Sequence, residues 1–416
     1  MDDLGAPLDQ FRAEARVWLE RHAKPKPTST DEFSWGVGSD SVALFQNMSE
    51  DQERAHIDAY RAWIREKAAA GWANLRWETE WGGRDLPREY EVAFAEEESR
   101  FVTPPRHEAI RITIDLMAPT IRAFGTPEQH VRFLRPTLRT DLLWCQLFSE
   151  PGAGSDLAAV ATRATADGDE WVINGQKVWT SGAQFADWGY IICRSDIDAP
   201  KHRGLTAFVV PMKSAGIEVR PLRQMTGGAS FNEVFLTDVR VPDSSRLGEP
   251  GDGWRAALTT LGFERSGGGS YGGTSTFRRL AALAQHLGRG SDPVVRQLLA
   301  RVYTHQRLQR LNSERVRARS RRGDIPGPEG SIGKLFWTEG LQLVNDLASV
   351  LLGPRLAADT GEWGMYAWGE HLHGSAGYRI AAGTDEIQRN ILSERILGLP
   401  SEPRADRDVP FSQTCR

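Results

Sequence analysis

One stretch constrains this chain most: Trp144–Ser181, reading WCQLFSEPGAGSDLAAVATRATADGDEWVINGQKVWTS. From about Leu143 helical spacing gives way to short β-rich segments. Asp167-Gly168 separates Thr162–Ala166 from Asp169–Ile173, and Asn174-Gly175 separates the latter from Gln176–Thr180. Both dipeptides favour the positive φ of a two-residue turn, which predicts two tight hairpins. Further strands are expected at Gly189–Arg194, Thr206–Pro211, Glu218–Arg220 and Asn232–Val241. Regularly spaced short strands imply a small barrel or sandwich, here over residues 144–250. Within Ser149–Asp156 (SEPGAGSD), Gly152 and Gly154 let a backbone approach a ligand closely and aim amides at it. By its glycines alone the segment reads better as an ordinary Gly-Pro turn.

Helical patterns flank this block. Leu8, Phe11, Ala15, Trp18 and Leu19 recur at helical spacing. Ser49–Gln52 is a capping box that opens a helix to about Ala70, where Gly71 can end it. Trp77–Pro87 (WETEWGGRDLP) reads as a loop, and Pro87 as the first-turn residue of a helix to about Arg100. In Gly125–Gln129 (GTPEQ), Thr126 caps, Pro127 takes the first helical position and Gln129 closes the box. That helix is expected to run through Leu134, with Pro136 disturbing it. Residues 1–143 therefore read as an all-α domain.

After residue 250, helices are expected at Gly253–Arg265, Pro293–Arg319, Gly330–Leu352 and Thr384–Leu397, and their short connections suggest a bundle over 251–416. Each glycine of Ser266–Gly273 (SGGGSYGG) would weaken a helix by about 0.5–1 kcal/mol. Either the helix breaks there or a cofactor or bulky substrate packs against it. At Gly383-Thr384-Asp385 a helix starts, with Thr384 or Asp385 as cap. Asp385 and Glu386 would repel phosphate, so this end suits a sugar, a base or backbone.

A chain of 416 residues calls for two or three domains. A net charge of −4 gives no reason to expect nucleic acid or anionic membrane, and Arg317–Arg322 (RARSRR) reads as a solvated helix end. With 3 cysteines, Cys145, Cys193 and Cys415, there is neither a disulfide framework nor metal-site spacing, which points to a reducing, cytoplasmic setting. The acidic MDDLGAPLDQ start predicts no signal peptide. His371 and His373 are spaced as a metal pair, but are expected on the surface.

SEPGAGSD, the Lys177–Ser181 strand (KVWTS), the W…WGG loop, GTPEQ and Ala382–Asn390 (AGTDEIQRN) together resemble the acyl-CoA dehydrogenase family over nearly the whole chain. The resemblance implies an α+β fold: N-terminal helical domain, middle β-barrel domain and C-terminal four-helix bundle. It implies FAD as cofactor and an acyl-CoA substrate that loses its α proton to a Glu and its β hydrogen to flavin N5. It assigns Gln146, Phe148 and Ser149 to the isoalloxazine edge, Trp179 to the ring face, Thr180 and Ser181 beside it, and Gly383, Thr384 and Glu386 to further FAD contacts. Ser155 falls on the flavin or CoA side, and the Ala382 N–H at the thioester oxygen.

Two departures matter. Ala382 and its neighbours Ala381 and Gly383 stand where many relatives carry the catalytic Glu. A minority place that base on the first bundle helix, at the position of Glu264 (LGFER), so Glu264 is expected to be the base, with Arg265 orienting it or the CoA; a surface ion pair is the alternative. At His286–Asp292 (HLGRGSD) only Arg289 is available for the FAD pyrophosphate of a neighbouring subunit, and Gly353-Pro354 replaces a Gly-Gly contact, with Gly361–Gly377 resembling an insertion. The expected function is acyl-CoA dehydrogenation of a branched, cyclic or bulky acyl group. Electrons would leave through an electron-transferring flavoprotein, and the assembly would be a homodimer, homotetramer or heteromer. An oxidase or monooxygenase of this fold, or a non-catalytic FAD-binding subunit, remain alternatives.

Overall fold

The computed structural model describes residues 5–26, 33–45, 47–266, 275–321, 327–403 and 406–414. The expected Gly267–Gly273 run and Cys415 lie outside the described residues, as does the side chain of Arg265.

The first helical block holds α1 (Gly5–His22), β1 (Lys24–Pro25), α2 (Glu50–Ala69), α3 (Arg88–Glu98) and β2 (Phe101–Val102), β2 pairing with β1. Phe11, Ala15 and Leu19 of α1 bury against Ala93 and Phe94 of α3, with Trp63 and Trp72 closing the cluster. Ser49 caps α2 through both halves of its box with Gln52, and Gly71 leaves the helix at φ +75°. Pro87 is the N-cap of α3 rather than its first helical residue.

A helical run that the periodicity did not predict follows: α4 (Glu108–Arg111), a π-helical segment (Ile112–Met117) and α5 (Ala118–Phe124). Ile110, Ile112, Thr113, Leu116, Met117 and Ile121 are all buried in it. Burial this broad erases the amphipathic stripe that sequence reading relies on.

α6 (Pro127–Leu138) carries Pro136 inside it and does not end at Leu134. Proline removes one backbone hydrogen bond. Here Phe133, Leu134, Thr137 and Leu138 are buried, and Thr137 Oγ1 accepts from the Trp144 indole at 2.9 Å, which outweighs that loss.

The middle block is one mixed sheet of β3 (Trp144–Leu147), β4 (Arg163–Asp167), β5 (Glu170–Ser181), β6 (Trp188–Arg194), β7 (Leu205–Pro211), β8 (Ile217–Leu222), β9 (Phe231–Pro242) and β10 (Arg246–Leu247). Its order is β10-β7-β6-β4-β5-β9-β8, with β3 also pairing β6. Cys145, Leu147, Ala164, Ile173, Ile191, Cys193, Phe208, Val210, Val234 and Val239 converge on one core, as a sheet rolled on itself requires. The alternate residues of β6 and β7, Tyr190, Ile192, Ala207 and Val209, face a second core shared with α5 and α6. Thus both faces of these strands are buried.

One of the two predicted hairpins forms. Its two-residue turn is Gly168-Asp169, since Asp167 still pairs with Glu170. Asn174-Gly175 makes no hairpin: both residues lie within β5, where the register against β9 shifts. A Cβ at Gly175 would lie 2.4 Å from Thr162 Oγ1, so glycine here serves a close approach between segments.

The last block comprises α7 (Gly253–Ser266), α8 (Ser275–His286), α9 (Pro293–Arg321), α10 (Gly330–Leu352), α11 (Ala367–Ile380) and α12 (Asp385–Arg395). Leu280, Leu283, Val295, Val302, Val344, Leu347 and Trp368 bring α8 to α11 around one core. Much of the Gly361–Gly377 segment is α11.

Two straps cross between blocks. Residues 33–45 lie over the bundle, where Arg279 donates to the Ser39 and Asp40 carbonyls and Phe45 stacks on Tyr378 at 4.6 Å. Near the C-terminus Phe411 is buried under the Arg194 guanidinium, 3.9 Å from it, and its N–H donates to the Ala199 carbonyl.

Candidate active site

β6 presents one edge to two strands in turn. β3 pairs with Trp188–Ile191, and β4 reaches it only at Arg194. Residues 148–162 fill the fork between β3 and β4, so the SEPGAGSD turn sits where the sheet divides.

A buried ion pair fixes that turn. Lys177 Nζ, fully buried on β5, donates to Glu150 Oε1 (2.8 Å), the Phe148 carbonyl (3.0 Å) and the Ile192 carbonyl (2.8 Å). Glu150 also accepts from the N–H groups of Ala161 and Thr162 at 2.7 and 2.9 Å. Burial alone would raise the carboxyl pKa; the Lys177 charge and these hydrogen bonds outweigh it and hold Glu150 below its ordinary value. The Val178 N–H donates to the Ser149 carbonyl at 2.9 Å. Phe148 and Ser149 are thereby fastened beside the strand that carries Trp179, Thr180 and Ser181. Gln146 is half-buried on β3, opposite Tyr190.

Trp179 is the anomaly of β5. It occupies a bulge at φ +59°, with its side chain 58% exposed and edge-on to Phe231 at 5.8 Å. A left-handed conformation costs a non-glycine residue about 1–2 kcal/mol, and burial within this chain does not repay an exposed indole. Next to it the buried Thr180 Oγ1 has no hydrogen-bond partner among the described residues. A Cβ at Gly152 or Gly154 would meet no atom within 4 Å, so packing within the chain does not demand glycine there. Strain, an unsatisfied hydroxyl and two unhindered glycines all fit a flat ligand against this strand. Ser155 is exposed beyond them.

Glu264 lies on α7, half-buried, and accepts from Arg111 Nη2 at 3.4 Å. Arg111 belongs to α4, and Ala109 of that helix meets Gly182 so closely that a glycine Cβ would stand 3.0 Å from it. α4, which sequence reading missed, therefore joins the end of the Trp179–Ser181 strand to Glu264.

The second motif forms a tight turn. Ala382 and Gly383 both take positive φ, +54° and +84°. Gln388 Nε2 donates to their carbonyls at 3.1 and 3.3 Å, and Lys334 Nζ donates to the Gly383 carbonyl at 2.9 Å. Thr384 caps α12 by accepting from the Ile387 N–H. The expectation that Asp385 repels phosphate fails: it is buried and turned inward, accepting from Arg379 Nε (2.9 Å) and Thr338 Oγ1 (2.8 Å) beside Lys334. Only Glu386 remains exposed, near Arg389.

A cleft of about 480 Å³ runs from Thr384–Glu386 along α10 to Ser349. Arg289 and Gly353 lie past its other end. Arg289 donates to the Val350 carbonyl and pairs with Asp292, while Gly353 caps α10. From Lys334 to Val350 is about 24 Å of helix, so Arg289 is not brought to the Gly383 turn. His371 is not on the surface. It is buried, its Nδ1 2.9 Å from Asn345 Oδ1, and burial holds its pKa down at about 4. No group of residues suited to a metal occurs among the described residues, and no helix is long and apolar enough to cross a membrane among them.

Comparison with known proteins agrees with this fold. Residues 8–141, 145–239 and 251–397 match the acyl-CoA dehydrogenase N-terminal, middle and C-terminal domain models. The chain is 37% identical over 402 residues to acyl-CoA dehydrogenase IpdE1 of Mycobacterium tuberculosis, covering 95% of this chain and 99% of that one. Among solved structures it is similar to the Tcur3481-Tcur3483 steroid ACAD (TM-score 0.71, 26% identity, 95% and 98% covered). It is also similar to the ChsE4-ChsE5 complex of M. tuberculosis (TM-score 0.70, 27% identity, 95% and 98% covered).

Proposed function

We propose that this chain, which belongs to the acyl-CoA dehydrogenase family of flavoprotein oxidoreductases, introduces an α,β double bond into a bulky acyl-CoA thioester with Glu264 as its base. The observation that carries this reading is the place of Glu264: half-buried, ionically tethered, and joined through α4 to the strand bearing Trp179.

FAD fits the residues present. Trp179, Thr180 and Ser181, with Gln146, Phe148 and Ser149, would hold its ring system; Gly383, Thr384 and Glu386 would hold the part in the bundle cleft. When bound, FAD supplies the acceptor for the β hydrogen. Glu264 takes the α proton on its carboxylate, a step that general bases of suitable pKa accelerate by about 10²–10⁴. The Ala382 N–H, in a turn held by Gln388 and Lys334, stabilises charge on the thioester oxygen as that proton leaves. Electrons then pass to an electron-transferring flavoprotein.

A structural relative named a steroid ACAD supports a ring-bearing acyl group, as do the small residues Ala381 and Ala382. Anaerobic addition of a steroid side-chain acyl-CoA should bleach the flavin band of the purified protein, and Glu264→Gln should not bleach on any mixing timescale. A Glu264→Gln variant that bleaches normally refutes the assignment.

A second reading has this chain as one subunit of a heteromer. It is favoured by Arg289, which is committed to Asp292 and Val350 of its own chain, and by the two-chain names of the structural relatives. Absence of flavin from the chain purified alone, with recovery on co-expression with a second family member, is its test.

A further inference from the structure

We propose that Arg111 is the positioning residue for the base, an inference that rests on the assignment of proton abstraction to Glu264. The two residues stand 153 positions apart in sequence and in different helical blocks, so their meeting is a property of the fold.

The guanidinium is shared unequally. Arg111 grips Glu108 as a fork, Nε at 3.1 and 2.9 Å from the two carboxylate oxygens and Nη2 at 2.6 Å from one. Towards Glu264 it makes a single contact at 3.4 Å. A fork on one carboxylate fixes the plane and direction of the guanidinium. Glu264 is thus addressed by a cation whose position Glu108 sets, and Arg111 reaches it at a longer distance than it reaches Glu108. The side chains of Arg111 and Glu264 are 32% and 21% exposed, so solvent screens the attraction only in part.

Asp115, on the π-helical segment, faces Arg111 and is bonded by Arg106 Nη2 at 2.7 Å. Hence the net influence at Glu264 from α4 and the π-helical segment is the Arg111 cation, diluted by Glu108. A cation at this place favours the charged carboxylate that accepts a proton, and it reaches Glu264 through one long contact. π-Helical turns recur at functional sites, and this one begins directly after Arg111.

The test follows two pH profiles: kcat/KM, and exchange of solvent deuterium into the acyl Cα, which reports the base without hydride transfer. Arg111→Gln is expected to raise the acid limb of both by about 1 pH unit, because a lost cation makes Glu264 easier to protonate. Arg111→Lys should restore the limb but not the full plateau, since lysine cannot fork. Glu108→Gln should move the limb the other way, as the released guanidinium turns to Glu264. An unmoved limb in folded Arg111→Gln overturns the proposal; where that variant does not fold, an unmoved limb in Glu108→Gln does. Undiminished exchange in Glu264→Gln overturns the base assignment instead.

Discussion

Lys177 Nζ lies 2.8 Å from Glu150 Oε1 with both side chains sealed inside the β domain. The pair joins the SEPGAGSD turn to the strand carrying Trp179, and it does so in a place where unpaired charge is expensive. Lys177→Met should destabilise the fold by about 3–5 kcal/mol, because it strands a buried carboxylate. Glu150→Gln/Lys177→Met should recover part of that, since the neutral side chain leaves no unpaired buried charge and its amide oxygen still accepts from one of the two N–H groups of Ala161 and Thr162. Denaturant unfolding of both variants measures the difference. Equal stability of the single and double variants would show that the two charges are not coupled.

Trp179 joins a strained backbone to an exposed ring. Trp179→Gly should leave the flavin-free protein as stable as before or up to about 1 kcal/mol more stable, because glycine adopts positive φ without penalty. The same change should weaken flavin retention by at least tenfold, measured by fluorescence titration. A large loss of stability with unchanged flavin binding would mean that the indole serves the fold.

How much of this was legible in the sequence depends on the range of the interaction. The capping boxes at Ser49 and Thr126 and the Thr384 cap were readable because their chemistry is local, whereas SEPGAGSD stood out from an ordinary turn only by resemblance. Asn174-Gly175 was misread, since the same dipeptide serves a hairpin or a bulge, and the choice was made by Thr162 packing against Gly175. α4 and its π-helical neighbour escaped because burial on nearly every side leaves no stripe. Glu264 was found by resemblance, but its partner Arg111 could not be: nothing within 153 residues of it announces the contact. Phe45, which lies beside Gly377 and on Tyr378, was equally silent, its binding surface being made by a helix more than three hundred residues away.

His371 gives a pH dependence of known sign. Burial lowers its pKa from 6.5 to about 4, so the unfolded chain binds a proton that the folded chain refuses between those values. Its contribution is therefore complete above pH 6.5 and declines as pH falls towards 4. Between pH 7 and pH 5 the loss should be about 2 kcal/mol. His371→Gln should flatten that part of the stability profile while keeping an amide that can meet Asn345. A slope unchanged by the substitution would assign the acid sensitivity to other groups.

The strap at Phe411 reaches the functional turn from behind. Its ring covers Arg194, whose Nη1 and Nη2 donate to the carbonyls of Lys201 and Ala158. Lys201 in turn bonds Asp156, the last residue of SEPGAGSD, and Asp406 of the strap, at 2.9 and 2.7 Å. Phe411→Ala should cost about 3–4 kcal/mol through lost burial and the opening of Arg194 to water. Because Ala158 follows the turn directly, loosening should spread there: amide exchange across residues 156–162 should quicken at least tenfold, while α1 and α3, remote in the first block, exchange as before. Exchange that quickens equally everywhere would mean that the strap stabilises the whole molecule without acting on the turn.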